Sequence, residues 1–186
     1  MIINDIFEIK SGHLKSRLDT DENATETVVY NKQLFECDRH YGIDYDVIEV
    51  DHILLNKDKY FTINEGDIIV DTLTSKAAIV SQQTQGMFIA FNYVLLRPKI
   101  EIDKDYFVAW FNLSDHATVQ LTSMLQGTII KKLSLKLLKE MEISLPNLNE
   151  QRMIGDLYKS SLKKLSLSKK LHLNECDMIR NIMEAF

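Results

Sequence analysis

Beyond Pro146 the chain runs forty residues to Phe186 with one glycine, Gly155, and no further proline. Those two residue types are the strongest helix breakers, so the segment can form a single helix. Asn147, followed three residues later by Glu150, resembles a capping box that would satisfy the free N–H groups at the helix start. A helix from Glu150 to Phe186 would be about 55 Å long at 1.5 Å per residue, more than the rest of the chain needs to cover itself. Alternate steps of four and three from Tyr158 through Leu162, Leu165, Lys169, His172, Cys176, Ile179 and Met183 to Phe186 trace a seam broken only by Lys169 and His172. Such a seam must be buried against another helix. Tyr158, Leu162, Leu165, Cys176, Ile179 and Met183 are therefore expected to meet a second chain or a partner protein, the alternative being a helix folded back on its own domain.

Residues 1–146 form the globular part and 147–186 the helical segment. Short β-branched and aromatic runs at residues 2–9, 47–50, 67–73, 77–80 and 87–97, separated by polar or glycine-bearing turns, predict a twisted, mainly antiparallel sheet. Residues 19–26 are polar and without period, which predicts an exposed loop. After Pro98, Asp103 can cap a helix through Tyr106, Phe107, Trp110, Phe111 and Leu113. This aromatic stripe at helical spacing belongs against the sheet. A second helix over residues 117–125 should stop at Gly127, Ser134 can cap a short third one through Leu137 and Leu138, and residues 141–145 return as a strand. The fold class is α+β, a sheet with packed helices followed by one long C-terminal helix.

With 186 residues, 45% hydrophobic and 26% charged, the chain can bury one sizeable core. No stretch approaches the roughly 18 apolar residues of a membrane helix, and residues 1–5 lack the basic start of a signal peptide, so a cytoplasmic location is expected. Cys37 and Cys176 read as free thiols. The net charge of −5 counts against nucleic acid, but it is uneven: residues 1–126 carry −9 and residues 127–186 carry +4. A local basic face can still bind phosphates on an acidic protein.

No catalytic constellation emerges. His13, His40, His52, His116 and His172 lie far apart, and Cys37 with His40 supplies half of a zinc site, so no metal is expected. Glycine-rich phosphate loops are lacking, as is the Asn/Asp-Pro-Pro-aromatic motif of an adenine methyltransferase. Glu8 and Lys10 make half of a nuclease motif but read as the solvent face of a strand.

What remains is binding, and three polar clusters qualify. Lys15, Ser16 and Arg17 form the first, Arg17 suiting guanine and Lys15 a phosphate. Lys76 with Gln82, Gln83 and Gln85 forms the second, glutamine being able to make paired contacts with adenine. Gly127 and Thr128 with Lys131 and Lys132 form the third, offering bare backbone and two cations to a phosphate chain. Each could equally be a solvated loop.

The order of motifs adds to this. Met124-Leu125-Gln126-Gly127-Thr128-Ile129-Ile130-Lys131-Lys132-Leu133-Ser134 leads through Ile143-Ser144-Leu145-Pro146 into Asn149-Glu150-Gln151-Arg152. Upstream stand residues 6–12 with Lys15-Ser16-Arg17, then Glu65-Gly66-Asp67-Ile68-Ile69-Val70, then Ala90-Phe91-Asn92-Tyr93-Val94-Leu95-Leu96-Arg97. Together they resemble, over nearly the whole chain, the specificity subunit of type I restriction-modification systems. The resemblance implies a non-catalytic DNA target recognition domain over residues 1–146 and a helical spacer for dimerisation over 147–186. Typical members carry two of each, and this chain has room for one. A homodimer, or pairing with a second half-subunit, is thereby implied, with the recognition domains at opposite ends of an antiparallel helical pair. S-adenosylmethionine would belong to a modification (methyltransferase) subunit, ATP and magnesium to a restriction subunit, and no cofactor to this chain. The alternative is an anti-restriction decoy that docks on the methyltransferase through its C-terminal helix without reading DNA, a reading that suits the acidic net charge.

Overall fold

The apolar runs assemble into a sheet that is buried on both faces. In the computed structural model, which describes residues 1–18, 22–41, 48–125 and 132–185, the strands are β1 (Phe7–Ser11), β2 (Thr25–Tyr30), β3 (His52–Leu55), β4 (Ile68–Asp71), β5 (Lys76–Ile79), β6 (Phe88–Ile89) and β7 (Tyr93–Pro98). A four-stranded sheet in the order β1-β7-β4-β5 is antiparallel throughout; a smaller one, β3-β2-β6, pairs β2 and β6 in parallel. Every residue of β4 is buried, which explains why Ile68-Ile69-Val70 shows no apolar-polar alternation. Phe7, Ile68, Val70 and Leu96 point to the helical side, whereas Ile69, Ala78, Tyr93 and Leu95 face Tyr30, Phe35 and Ile63.

The helices are α1 (Ile3–Ile6), α2 (Lys32–Arg39), α3 (Lys104–Leu113), α4 (Asp115–Leu125), α5 (Leu135–Glu140) and α6 (Leu148–Glu184). Asp103, Ser134 and Asn147 cap three of them, their side chains accepting from the N–H groups of Tyr106, Leu137 and Glu150. Each such cap is worth about 1 kcal/mol. Glu150 completes the capping box by accepting from the Asn147 N–H. Trp110 is buried with Phe107 and Phe111 in the core between α3 and the sheet.

Several boundaries differ from the sequence expectation. The run 2–9 splits, because buried Ile3 and Ile6 are spaced for one helical turn and only Phe7 onward pairs as a strand. Thr25 and Glu26, expected in a loop, open β2 as its exposed end and pair with Leu55 and Leu54. The strand expected at 47–50 begins instead at His52. Residues 87–97 are interrupted by a turn between β6 and β7. The strand at 141–145 is reduced to a bridge between Glu142 and Ile2, since the N-terminal segment turns away as α1 after Ile2 and offers no further edge. Helix α2, capped by Asn31, was not expected at all.

Helix α6 is rooted on α3 through two close contacts. At Gly155 a Cβ would overlap the Asp103 carboxylate and stand 2.9 Å from the Tyr106 nitrogen, so only glycine permits this approach. One turn on, the buried Asn112 side chain donates 2.9 Å to the Tyr158 hydroxyl and 2.8 Å to the Ala77 carbonyl, while accepting 2.8 Å from the Ala77 N–H. Sheet, α3 and α6 thus share one amide. This corrects the expected seam at its start, where Tyr158 is buried in its own domain and Leu162 packs on the same core. Ser166 is the last buried residue of α6; Leu165, Ile179 and Met183 are exposed and Cys176 is half-buried. The remaining 18 residues extend about 27 Å past the domain. Phe186 lies outside the described residues.

Candidate nucleic-acid interface

The close packing of one glycine draws three connections together at one end of the domain. Gly12 follows β1 and donates 2.9 Å to the Tyr93 carbonyl, and a Cβ there would overlap the carbonyl oxygens of Ile89 and Ala90. The chain therefore crosses the β6–β7 connection at backbone contact. His13 then docks against Ala90, its ring 5.2 Å from that of Tyr60 and 4.9 Å from that of Phe61. Burial lowers its pKa, which keeps the imidazole neutral near pH 7. Its Nε2 is buried and has no hydrogen-bond partner among the described residues. A single 3-10 turn, Lys15–Arg17, follows, with all three side chains exposed. Lys15 pairs with Asp51 at 3.2 Å, whereas no carboxylate among the described residues pairs with Arg17.

Two further turns converge on the same end. Asp71 closes the β4–β5 turn by accepting from the Leu73 N–H and the Thr74 hydroxyl. Thr72 donates its N–H and its hydroxyl to the Asn92 carbonyl, at 2.9 and 2.7 Å, and accepts from the Leu133 N–H at 2.9 Å. These bonds carry Lys132 to Phe91, with Nζ 4.2 Å from the ring centroid. Phe91 itself is 50% exposed, unusual for an aromatic side chain in so constrained a turn. A cleft lies to either side of it. One, of about 380 Å3, is lined by Ser11, His13, Arg17 and Tyr60; the other, of about 400 Å3, by Thr72, Lys132 and Ser134.

The first and third sequence clusters therefore meet at Phe91, through Arg17 and Lys132. The second does not join them. Strand β5 leads from Lys76, beside the Asp71 turn, to Ile79 and on to residues 81–86, placing Gln82, Gln83 and Gln85 at the opposite end of the sheet. That loop is held by buried Asp38, which accepts from the Thr84 hydroxyl at 2.7 Å and the Ser81 N–H at 3.1 Å and leaves the three glutamines exposed. Lys76 is also turned inward, donating 3.0 Å to the Asn112 carbonyl at the end of α3, where a cation is favourable. Gly127, Thr128 and Lys131 lie outside the described residues.

Residues 1–174 match the family of the type I restriction modification DNA specificity domain. The chain belongs to that family. This specificity chain also shares its fold with solved structures: the HsdS subunit of Thermoanaerobacter tengcongensis (TM-score 0.57, 14% identity, 92% of this chain and 39% of that one) and the S subunit of a type-I restriction-modification system from M. genitalium (0.55, 19%, 98% and 43%). A chain from a structure concerned with complex assembly and conformational transition of the type I R-M system aligns with TM-score 0.65 at 16% identity over 98% of this chain and 46% of its own length. The specificity chain thus spans less than half the length of these relatives. No curated protein matches it.

Sequence reasoning missed Phe91, Tyr60 and Thr72 at this end of the specificity domain. Phe91 was absorbed into an apolar run, and the one signal against that was Asn92, a turn residue in its midst.

Proposed function

We propose that this chain reads DNA sequence for a type I restriction-modification assembly and leaves the chemistry to other subunits. The observation that carries the reading is the convergence of Arg17, Lys132 and Phe91 at one end of a domain whose sequence matches the DNA specificity family from residue 1 to 174. Cations there would grip phosphates while polar turn residues approach base edges. S-adenosylmethionine would sit in a modification subunit, and ATP and magnesium in a restriction subunit, in the cytoplasm. The deciding experiment is methylation-site sequencing of cells that express the chain with and without its modification subunit. A split motif methylated only when both are present is expected; unchanged methylation overturns the reading.

The partner of α6 would be a second copy, or a second half-subunit with the same helix. Support comes from an apolar stripe that the domain leaves uncovered. Ile154, Leu157, Leu171, Met178 and Ile182 are all exposed and lie off the face that Gly155 and Tyr158 bury. At its root the stripe borders an apolar groove of about 540 Å3, walled by Trp110 and Leu113. Two such helices laid antiparallel set Leu157 against Ile182, Ser161 against Met178 and Ser168 against Leu171. The same register sets Lys164 opposite Glu175 twice. A symmetric pair of this kind would read a palindromic split target.

A further inference from the structure

We propose that the cleft between Phe91 and Tyr60 holds a single DNA base drawn out of its stack, with the Phe91 ring as its stacking platform. The inference rests on the DNA-reading function above. Three features point to it. The Phe91 ring borders both clefts, and Lys132 occupies the side toward Thr72 and Leu133, which leaves the side toward Tyr60 for a flat apolar ligand. That side is a space of about 380 Å3 lined by both Phe91 and Tyr60, at the lower end of the range for small-molecule pockets. Arg17, exposed and with no carboxylate partner among the described residues, stands at the same cleft, placed to hold a phosphate or a base edge beside the displaced nucleotide.

The turn is also built to keep the ring where it is. Residues flanking Phe91 are pinned by the two Thr72 bonds to the Asn92 carbonyl, by the Tyr93 N–H to the Ala90 carbonyl, and by the contact of Gly12 beneath. An exposed phenyl ring held this firmly contributes little by remaining in water. Against a base drawn into the cleft, it would offset the lost stacking with a new face-to-face contact, as stacking platforms do. Lys132, over the other face of the ring, would hold a phosphate there.

The test uses the full chain bound to its modification subunit and duplexes carrying the target motif, with 2-aminopurine substituted at one position at a time. Brightening at a position other than the methylated base is expected, lost in Phe91→Ala and kept in Phe91→Tyr. Phe91→Ala should weaken target binding about tenfold, the scale of one base stack, and weaken binding to non-target DNA less. Target binding with no such brightening in the wild type overturns the slot, as does brightening that Phe91→Ala does not alter. A complex that fails to prefer its target over other DNA would instead overturn the function on which the slot depends.

Discussion

Asn112 joins three elements of the fold, the sheet, α3 and α6. It satisfies both backbone groups of Ala77 and the hydroxyl of Tyr158, all buried. Replacing it with alanine strands those partners, at about 1–3 kcal/mol for each buried group left without a bond. Thermal or urea unfolding of Asn112→Ala should show a loss of at least about 2 kcal/mol; a smaller loss would mean that water replaces the amide. His13 gives a different signature. Because burial lowers its pKa below 6.5, the unfolded chain takes up the proton first as pH falls. Its contribution is therefore complete above about pH 6.5 and is lost below that value until the folded-state pKa has been passed. Melting temperatures between pH 8 and 5 should fall less steeply in His13→Phe than in the wild type. Parallel curves would assign the titration to another group.

At the scale of elements, what the sequence revealed was governed by local rules. Caps at Asp103, Ser134 and Asn147 were legible because side-chain chemistry and spacing alone decide them, and β4 because its apolar run is unbroken. Long-range pairing was not legible. Strand β2 begins in polar Thr25 and Glu26, and is a strand because β3 and β6 pair with it. The seam on α6 followed a correct helical period, but the period cannot say which face the domain itself consumes. Gly155 and Tyr158 answer that, and the uncovered stripe through Leu157 and Ile182 follows. If that stripe pairs antiparallel with a second copy, Lys164→Glu and Glu175→Lys should each weaken the dimer roughly tenfold, and the double mutant should restore it. Sedimentation equilibrium reads the outcome. Equal affinity in all three variants would exclude this register.

On the scale of the whole molecule, a net charge of −5 coexists with a cationic end, so nonspecific affinity should be modest and strongly salt-dependent. Lys131→Ala with Lys132→Ala should lower the slope of log affinity against log salt by about 1 for each phosphate that is no longer neutralised, on target and non-target DNA alike. An unchanged slope would return both lysines to solvent. The assembly of the reading end was illegible in the sequence for the same reason as β2: Arg17, Phe91 and Lys132 are separated by long stretches of chain and meet only through sheet register. Gln82, Gln83 and Gln85 looked equivalent to them on composition, yet strand direction sends that loop to the far end.

The first residues of the chain are locked late. Ile3 donates 2.8 Å to the Met141 carbonyl, and Ile143 donates 2.9 Å to that of Met1. Strand β1 likewise waits for β7, more than eighty residues downstream. During synthesis, then, β1 has no partner until residue 98 has left the ribosome and residues 1–3 have none until residue 143 has, so the nascent chain carries its first apolar segments unprotected over that interval. Helix α6 emerges afterwards, onto a domain that has just become able to receive it, so that partner recruitment through the helix is delayed until the reading end exists.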